Sequence, residues 1–331
     1  MKKILSPFFV MLGSSFFCTV IYFTVSFYLG GERGIVFGTV LIAQVHFIFT
    51  YLFSFPNLKR NMGLLRVILL YLVLIALPFL FYSRLFPFVQ QYWVVAALFL
   101  YFLFHFYENL FFLWGATGSG SEPKGPDRIL LFLLFGVVNL LAILPSAELF
   151  GTRNFLRGAI IFSGISSGVY WVFIVFSLFI FCVLFFQRDS AYSKWIIGAL
   201  GGTTIGTYLF SFVSPSLPVF FQITWHIFMW LIFYTWKIWG RNPTFRLFSM
   251  PTGIIPKTYF AKFLVFISSG IVPFLGANSL LMGISFVYFW IDYDGSAARY
   301  FFHPFYGQFA LFIWSFSHTT FSFFPTRTKS V

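Results

Sequence analysis

Apolar residues run along this chain in stretches of roughly twenty, the length a helix needs to cross the hydrocarbon of a bilayer. Polar, Pro and Gly residues collect in the gaps between them. Dividing the chain at those gaps predicts ten helical spans: 6–29, 35–56, 66–83, 92–114, 129–149, 158–186, 195–213, 218–236, 263–289 and 302–324. A transmembrane β-strand would alternate apolar and polar residues over about ten positions, and these runs are continuously apolar. The expected fold is therefore all-α, a polytopic transmembrane helical bundle forming a single integral membrane domain over 1–331. The gaps are short: GGERG at 30–34, SRLFPFVQQ at 83–91, SPSLP at 214–218. Connections of that length set consecutive helices antiparallel.

Basic residues orient the bundle. With the N-terminus inside, the cytoplasmic gaps and ends hold Lys2, Lys3, Lys59, Arg60, Arg66, Lys124, Arg128, Arg188, Lys194, Lys237, Arg241, Arg246, Lys257, Lys262, Arg327 and Lys329. The other side holds Arg33, Arg84, Arg153, Arg157 and Arg299. Basic loops resist translocation, so this asymmetry places both termini in the cytoplasm. The opening MKKI and the apolar run behind it read as a retained first helix, because the run is longer than the core of a cleaved signal.

Composition supports the pattern. Of 331 residues, 60% are hydrophobic and 9% charged, against about 25% charged in a soluble domain. Mean hydropathy is +0.90. The net charge of +13 is spread thinly over gaps and forms no stripe for nucleic acid. It suits anionic lipid headgroups at the cytoplasmic face, above all along 236–262, where Lys, Arg and aromatics mix. The expected setting is an inner (plasma) membrane of bacterial type. Cys18 and Cys182 both fall in apolar spans and form no CxxC motif, so they say nothing about compartment. Phe occurs 55 times. That abundance serves lipid contact and helix packing, or else lines a path for a lipid or isoprenoid substrate.

Candidate chemistry sits inside the spans. His46, His105, His226 and His318 each lie within a different one, and His303 lies at a span edge. Around them polar residues recur at helical spacing: Thr39, His46, Thr50, Ser54 and Asn57; Tyr101, His105, Glu108 and Asn109; Gln222 and His226; Gln308, Ser315, His318 and Ser322. A polar stripe on an apolar helix turns inward, since lipid offers it no hydrogen bond. Glu108 is the one acidic residue well inside a span. An ionised carboxylate there must pair, bind a cation or hold its proton.

Three readings follow. In the first, His46, His105, His226 and His318 ligate a metal, with Glu108 as a further ligand or a catalytic base, and Tyr101 and Gln308 around the cofactor. Imidazole and carboxylate suit Fe, Zn or Cu. A non-haem iron with open positions, or a haem b between two histidines, would make the protein a membrane-bound oxidoreductase or oxygenase acting on a lipid-soluble substrate. In the second, His and Glu relay charge in a proton- or ion-coupled transporter, whose helices should break near Gly201–Gly202 or Gly276–Ala277–Asn278. In the third, the histidines are structural, and each bonds polar neighbours locally.

Helix-borne histidines in AQVHF at 43–47 and YFLFHF at 101–106 resemble the layout of the membrane-integral β-carotene dioxygenases. That resemblance implies an iron held by four helix-borne histidines. The chain departs from that family in its late histidines: His303 and His318 are well separated, where the family has a close pair.

Overall fold

The computed structural model describes residues 7–89, 92–117, 217–239, 258–269, 271–293 and 308–323, together with isolated positions at 129, 132, 175, 178, 179, 182 and 186. Every regular element among them is helical. The expected spans 129–149, 158–186 and 195–213 lie outside the described residues apart from those isolated positions, as does His303.

The first helical stretch, Pro7–Met62, is two helices joined at a kink. Gly30 (φ −156°, ψ 17°) and Gly31 (φ 59°, ψ −146°) leave helical geometry and separate α1 (7–29) from α2 (32–62). Gly31 occupies a region of backbone space that side chains exclude. A few residues on, Gly34 packs so close to the carbonyl of Ser26 that a Cβ would collide with its oxygen. The sequence GGERG thus encodes a kink through missing side chains. α2 runs six residues past its expected end at 56, through Pro56, and closes on Lys59 and Arg60, cations that suit the negative end of the helix dipole.

Gly63 (φ 82°) starts the next stretch, α3, which covers Leu64–Leu80. Its middle, Leu72–Ala76, is a π turn, in which the N–H of Leu77 reaches back to the carbonyl of Leu72. The π turn sits just ahead of Pro78. Proline lacks an N–H and crowds the carbonyl four residues earlier, so the helix widens there. The gap expected at 83–91 is folded in part as a short helix, α4 (Tyr82–Val89), with Pro87 inside it. Its apolar residues at 82, 85, 86 and 89 follow helical spacing despite the polar letters between them.

α5 (Tyr92–Ala116) and α6 (Leu217–Trp239) match the spans expected at 92–114 and 218–236. The span expected at 263–289 is divided between α7 (Tyr259–Ser268) and α8 (Ile271–Tyr293). α9 (Gln308–Phe323) carries His318.

The chain groups into two compact units: Met1–Val36 with Gln90–Met229, and Phe37–Val89 with Trp230–Val331. In the first, α1 meets α6 through Phe16 and Phe23, which approach Phe221 edge-on at 5.6 and 5.8 Å. The indole N–H of Trp225 donates to Ser15 Oγ at 2.8 Å, and that hydroxyl donates onward to Leu12 O. Phe8 packs on Trp114 of α5. In the second, Val45 and Phe49 of α2, Ile267 of α7 and Phe274 of α8 form a buried cluster, flanked by Leu52, Leu231, Tyr234, Ala277 and Leu281.

Buried polar residues sit beside exposed large apolar ones. Ser15, Thr19, Gln222, Thr224, Ser317 and Thr319 are buried, while Phe17 is 69% exposed, Tyr28 89% and Val272 77%. Among the described residues one helical segment, Pro7–Gly31, is long and apolar enough to cross a membrane, at mean hydropathy 1.9. Gly38–Leu52, Leu64–Leu80 and Val272–Val287 are shorter apolar helices.

The α1–α2 turn gives a direct test. A Cβ at Gly34 meets the Ser26 backbone, whereas one at Gly13, within α1, meets nothing. Gly34→Ala should cost about 1–3 kcal/mol through backbone displacement. Gly13→Ala should be neutral or stabilise by up to about 1 kcal/mol, because alanine loses less freedom in a helix. Thermal unfolding of the two purified variants compares them, and equal effects would contradict the geometry.

Candidate metal-binding histidines

Each unit brings two of the four helix-borne histidines together. In the second unit, His46 on α2 and His318 on α9 face one another with their Nε2 atoms 3.2 Å apart. Their rings lie 4.6 Å apart at 62°, and Phe47 packs on the His318 ring at 5.1 Å. His318 is buried and His46 half-buried.

Side-chain bonds to backbone carbonyls hold this pair in place. Tyr51, five residues after His46, donates its hydroxyl to Trp314 O at 2.9 Å. Trp314 lies one helical turn before His318, so this bond ties α2 to the turn that carries the second imidazole. Tyr71 of α3 donates to Tyr51 O at 2.9 Å. Ser317, next to His318, donates to Leu74 O at 2.6 Å. Leu74 lies four residues before Pro78, whose nitrogen has no hydrogen to give it. The proline, the π turn and the serine form one device: a carbonyl denied its usual donor is used to dock α9. The rings of Tyr51, Tyr71 and Phe321 fill the space beside these bonds, with Tyr71 4.5 Å from Phe321 and Tyr51 5.3 Å from it.

In the first unit, His105 on α5 and His226 on α6 lie with ring centroids 5.0 Å apart at 67°. Phe102 and Phe106 approach His226 edge-on at 5.9 and 5.5 Å. The side-chain amide of Asn109 lies 2.9 Å from His105 Nε2, with the nitrogen donating. An ion at that Nε2 would have to displace Asn109. Tyr101 and Glu108 are half-buried on the same helix. Gln308 opens α9, and its side chain lies outside the described residues.

Several polar residues of the expected stripes spend their hydroxyls on their own helix. Thr50 donates to His46 O at 3.0 Å and Ser54 to Tyr51 O at 3.3 Å, the back-bonding that lets a hydroxyl sit inside an apolar helix. α8 runs unbroken through Gly276–Ala277–Asn278, with Asn278 Nδ2 donating to Phe274 O at 2.7 Å. That is one of the two places where a transporter's helix break was expected. The other, Gly201–Gly202, lies outside the described residues.

Sequence reasoning missed Tyr51, Tyr71, Ser317 and the Leu74 carbonyl. Tyr51 and Ser317 lie off the stripes drawn through the histidines. Pro78 was the available signal, since a proline deep in an apolar helix demands a donor from elsewhere for the carbonyl a turn back.

Neutral imidazole nitrogens bind Zn, Cu and Fe, and His46 and His318 form a histidine cluster that could bind a metal ion. Two nitrogens held by one such ion at about 2.0–2.1 Å, at angles of roughly 90–110°, stand about 2.9–3.4 Å apart. The observed 3.2 Å falls inside that window. The same distance also suits an N–H···N hydrogen bond between two neutral rings.

Comparison with protein-family models, with curated proteins and with solved structures gives no match.

The docking device predicts a specific non-additivity. Ser317→Ala removes the bond to Leu74 O and should cost about 1–3 kcal/mol. Pro78→Ala returns an N–H at position 78, so Ser317→Ala should cost markedly less in that background. A double-mutant cycle on unfolding midpoints measures the coupling. Additive losses would mean that the proline and serine act independently.

Proposed function

We propose that the chain is a polytopic membrane protein that holds a metal ion through helix-borne histidines, with His46 and His318 as the seat. The carrying observation is the 3.2 Å approach of two Nε2 atoms from helices more than two hundred residues apart in sequence. A pair fixed by Tyr51 and Ser317 has little freedom to drift, and ligand geometry held in advance favours binding. The membrane part of the reading rests on the apolar spans of the sequence and on the many large apolar side chains left exposed while hydroxyls and imidazoles are buried. Lipid satisfies no hydrogen bond, so hydroxyls and imidazoles turn inward while apolar side chains can face either way.

Two histidines leave coordination positions for other ligands. An ion of Fe or Cu with such positions suits redox chemistry on a lipid-soluble substrate, and in this reading the protein is a membrane-bound oxidoreductase. His105 and His226 are the next ligand candidates, and Glu108 is the candidate acid or base.

Metal content tests this. Protein purified in detergent from metal-replete cells should carry Fe, Cu or Zn near one ion per chain. His46→Ala or His318→Ala should lower that by at least about tenfold, the scale of losing one ligand. His105→Ala and His226→Ala, assayed separately, report whether these residues contribute. Wild-type protein without stoichiometric metal or haem would sink the metal reading.

A further inference from the structure

The helices that build the His46–His318 pair carry almost no acid. Residues 37–89 and 308–323 contain no Asp or Glu, and neither does α7. The nearest acid on α2 is Glu32, fourteen residues before His46 and about 21 Å away along the helix. α8 packs on this part of α2 where Phe274 meets Val45 and Phe49, with Ala277 and Leu281 alongside. The one acid of α8, Asp292, stands eleven residues beyond Leu281, about 16 Å further along the helix. Residues 37–89 and 230–331 also contain no cysteine. Among the described residues of this unit, no carboxylate or thiolate stands at the level of the two imidazoles.

The surroundings of the pair are apolar. Phe47 packs on both rings, with centroids 6.2 Å from His46 and 5.1 Å from His318. The hydroxyl protons of Thr50, Tyr51 and Ser317 go to main-chain carbonyls. An ion at this place meets two neutral nitrogens and keeps its whole charge. The cost of holding an ion away from water grows with the square of that charge, so a monovalent ion costs about a quarter as much as a divalent one. A divalent ion in an apolar interior therefore calls for anionic ligands, and these helices offer none near the pair. Alkali ions, the common monovalent alternative, take oxygen ligands. Copper is the imidazole-binding metal with a stable monovalent state.

We infer that His46 and His318 bind copper as Cu(I). The inference rests on the metal reading above and names its ion. With the two Nε2 atoms 3.2 Å apart and bonds of about 2.0 Å, the angle at the ion is about 106°. Cu(I) has a filled d shell and imposes no angle of its own, so a bent pair suits it and leaves room for a neutral third ligand. Cu(II) seeks a tetragonal set of nitrogen and oxygen ligands, which is more than two imidazoles supply. Charge and geometry thus act in the same direction, and both hold copper in its reduced state.

Anaerobic titration of metal-stripped, full-length protein in detergent tests it, with Cu(I), Zn(II) and Fe(II) each competed against a chelator of known affinity. Wild type should bind one Cu(I) per chain at least about a hundredfold more tightly than Zn(II) or Fe(II), because the penalty for burying one further uncompensated charge exceeds that ratio. Cu(I)-loaded protein exposed to air should stay silent in electron paramagnetic resonance. His46→Gln and His318→Gln should each weaken Cu(I) binding at least about tenfold. Their unfolding midpoints without metal, matched to wild type, separate loss of a ligand from loss of the fold. Cys18→Ser/Cys182→Ser removes the two thiols of the chain and should keep the full Cu(I) affinity. Loss of binding in that variant would move the copper to cysteine and overturn the proposal. Zn(II) or Fe(II) held as tightly as Cu(I), or a Cu(II) signal that grows in air, would overturn the choice of ion and leave the metal reading standing. Wild type that binds none of the three ions sinks both.

Discussion

A polar group surrounded by apolar side chains has to find its partner within the chain, and this structure is organised by that demand. Main-chain bonding inside helices meets most of it. The exceptions define the tertiary contacts: the Trp225 indole on Ser15, the Tyr51 hydroxyl on Trp314 O, the Tyr71 hydroxyl on Tyr51 O, the Ser317 hydroxyl on Leu74 O. Each joins two helices at a defined height and rotation, which interlocking apolar surfaces alone do less sharply. The Leu74 contact is the most specific, because Pro78 withholds the usual donor from that carbonyl.

The two histidine pairs differ in how they meet this demand. His105 is served by Asn109, one turn along its own helix, which is how an apolar interior accommodates an imidazole without further purpose. His46 and His318 are served across helices, nitrogen to nitrogen. In that arrangement a proton or a metal ion can lie between the rings with little movement of either helix. The contrast makes the second pair the stronger place to seek chemistry. The first pair is packed among Phe102, Phe106 and Trp225.

Much of the helical layout was legible in the residues. α1, α5 and α6 start and stop within three residues of the expected bounds, because long apolar runs and Gly/Pro gaps mark helices strongly. Boundaries failed where polar letters and helical geometry disagree. α2 continues to Met62 through Pro56, α4 forms within an expected gap, and 263–289 is divided between α7 and α8. The histidines were legible as inward-facing, yet their pairing was not. Periodicity fixes the face of a helix and is silent on which other helix that face meets. Ser317 shows the same limit, since its role depends on a proline some 240 residues earlier, and no local pattern connects the two.

The turn at Gly30–Gly34 has a consequence for how the protein is made. It brings Ser26 and Gly34 together, positions separated by only a few residues near the start of the chain. Closing so short a loop costs little entropy, and synthesis delivers this segment before α3 and the helices after it. The kink can therefore be in place while the ribosome is still producing α3, whereas the contact of His46 with His318 must wait for α9. A chain stalled or truncated before α9 would keep this kink and lack the histidine pair entirely. Any ion the pair holds would then be acquired only once α9 has been made.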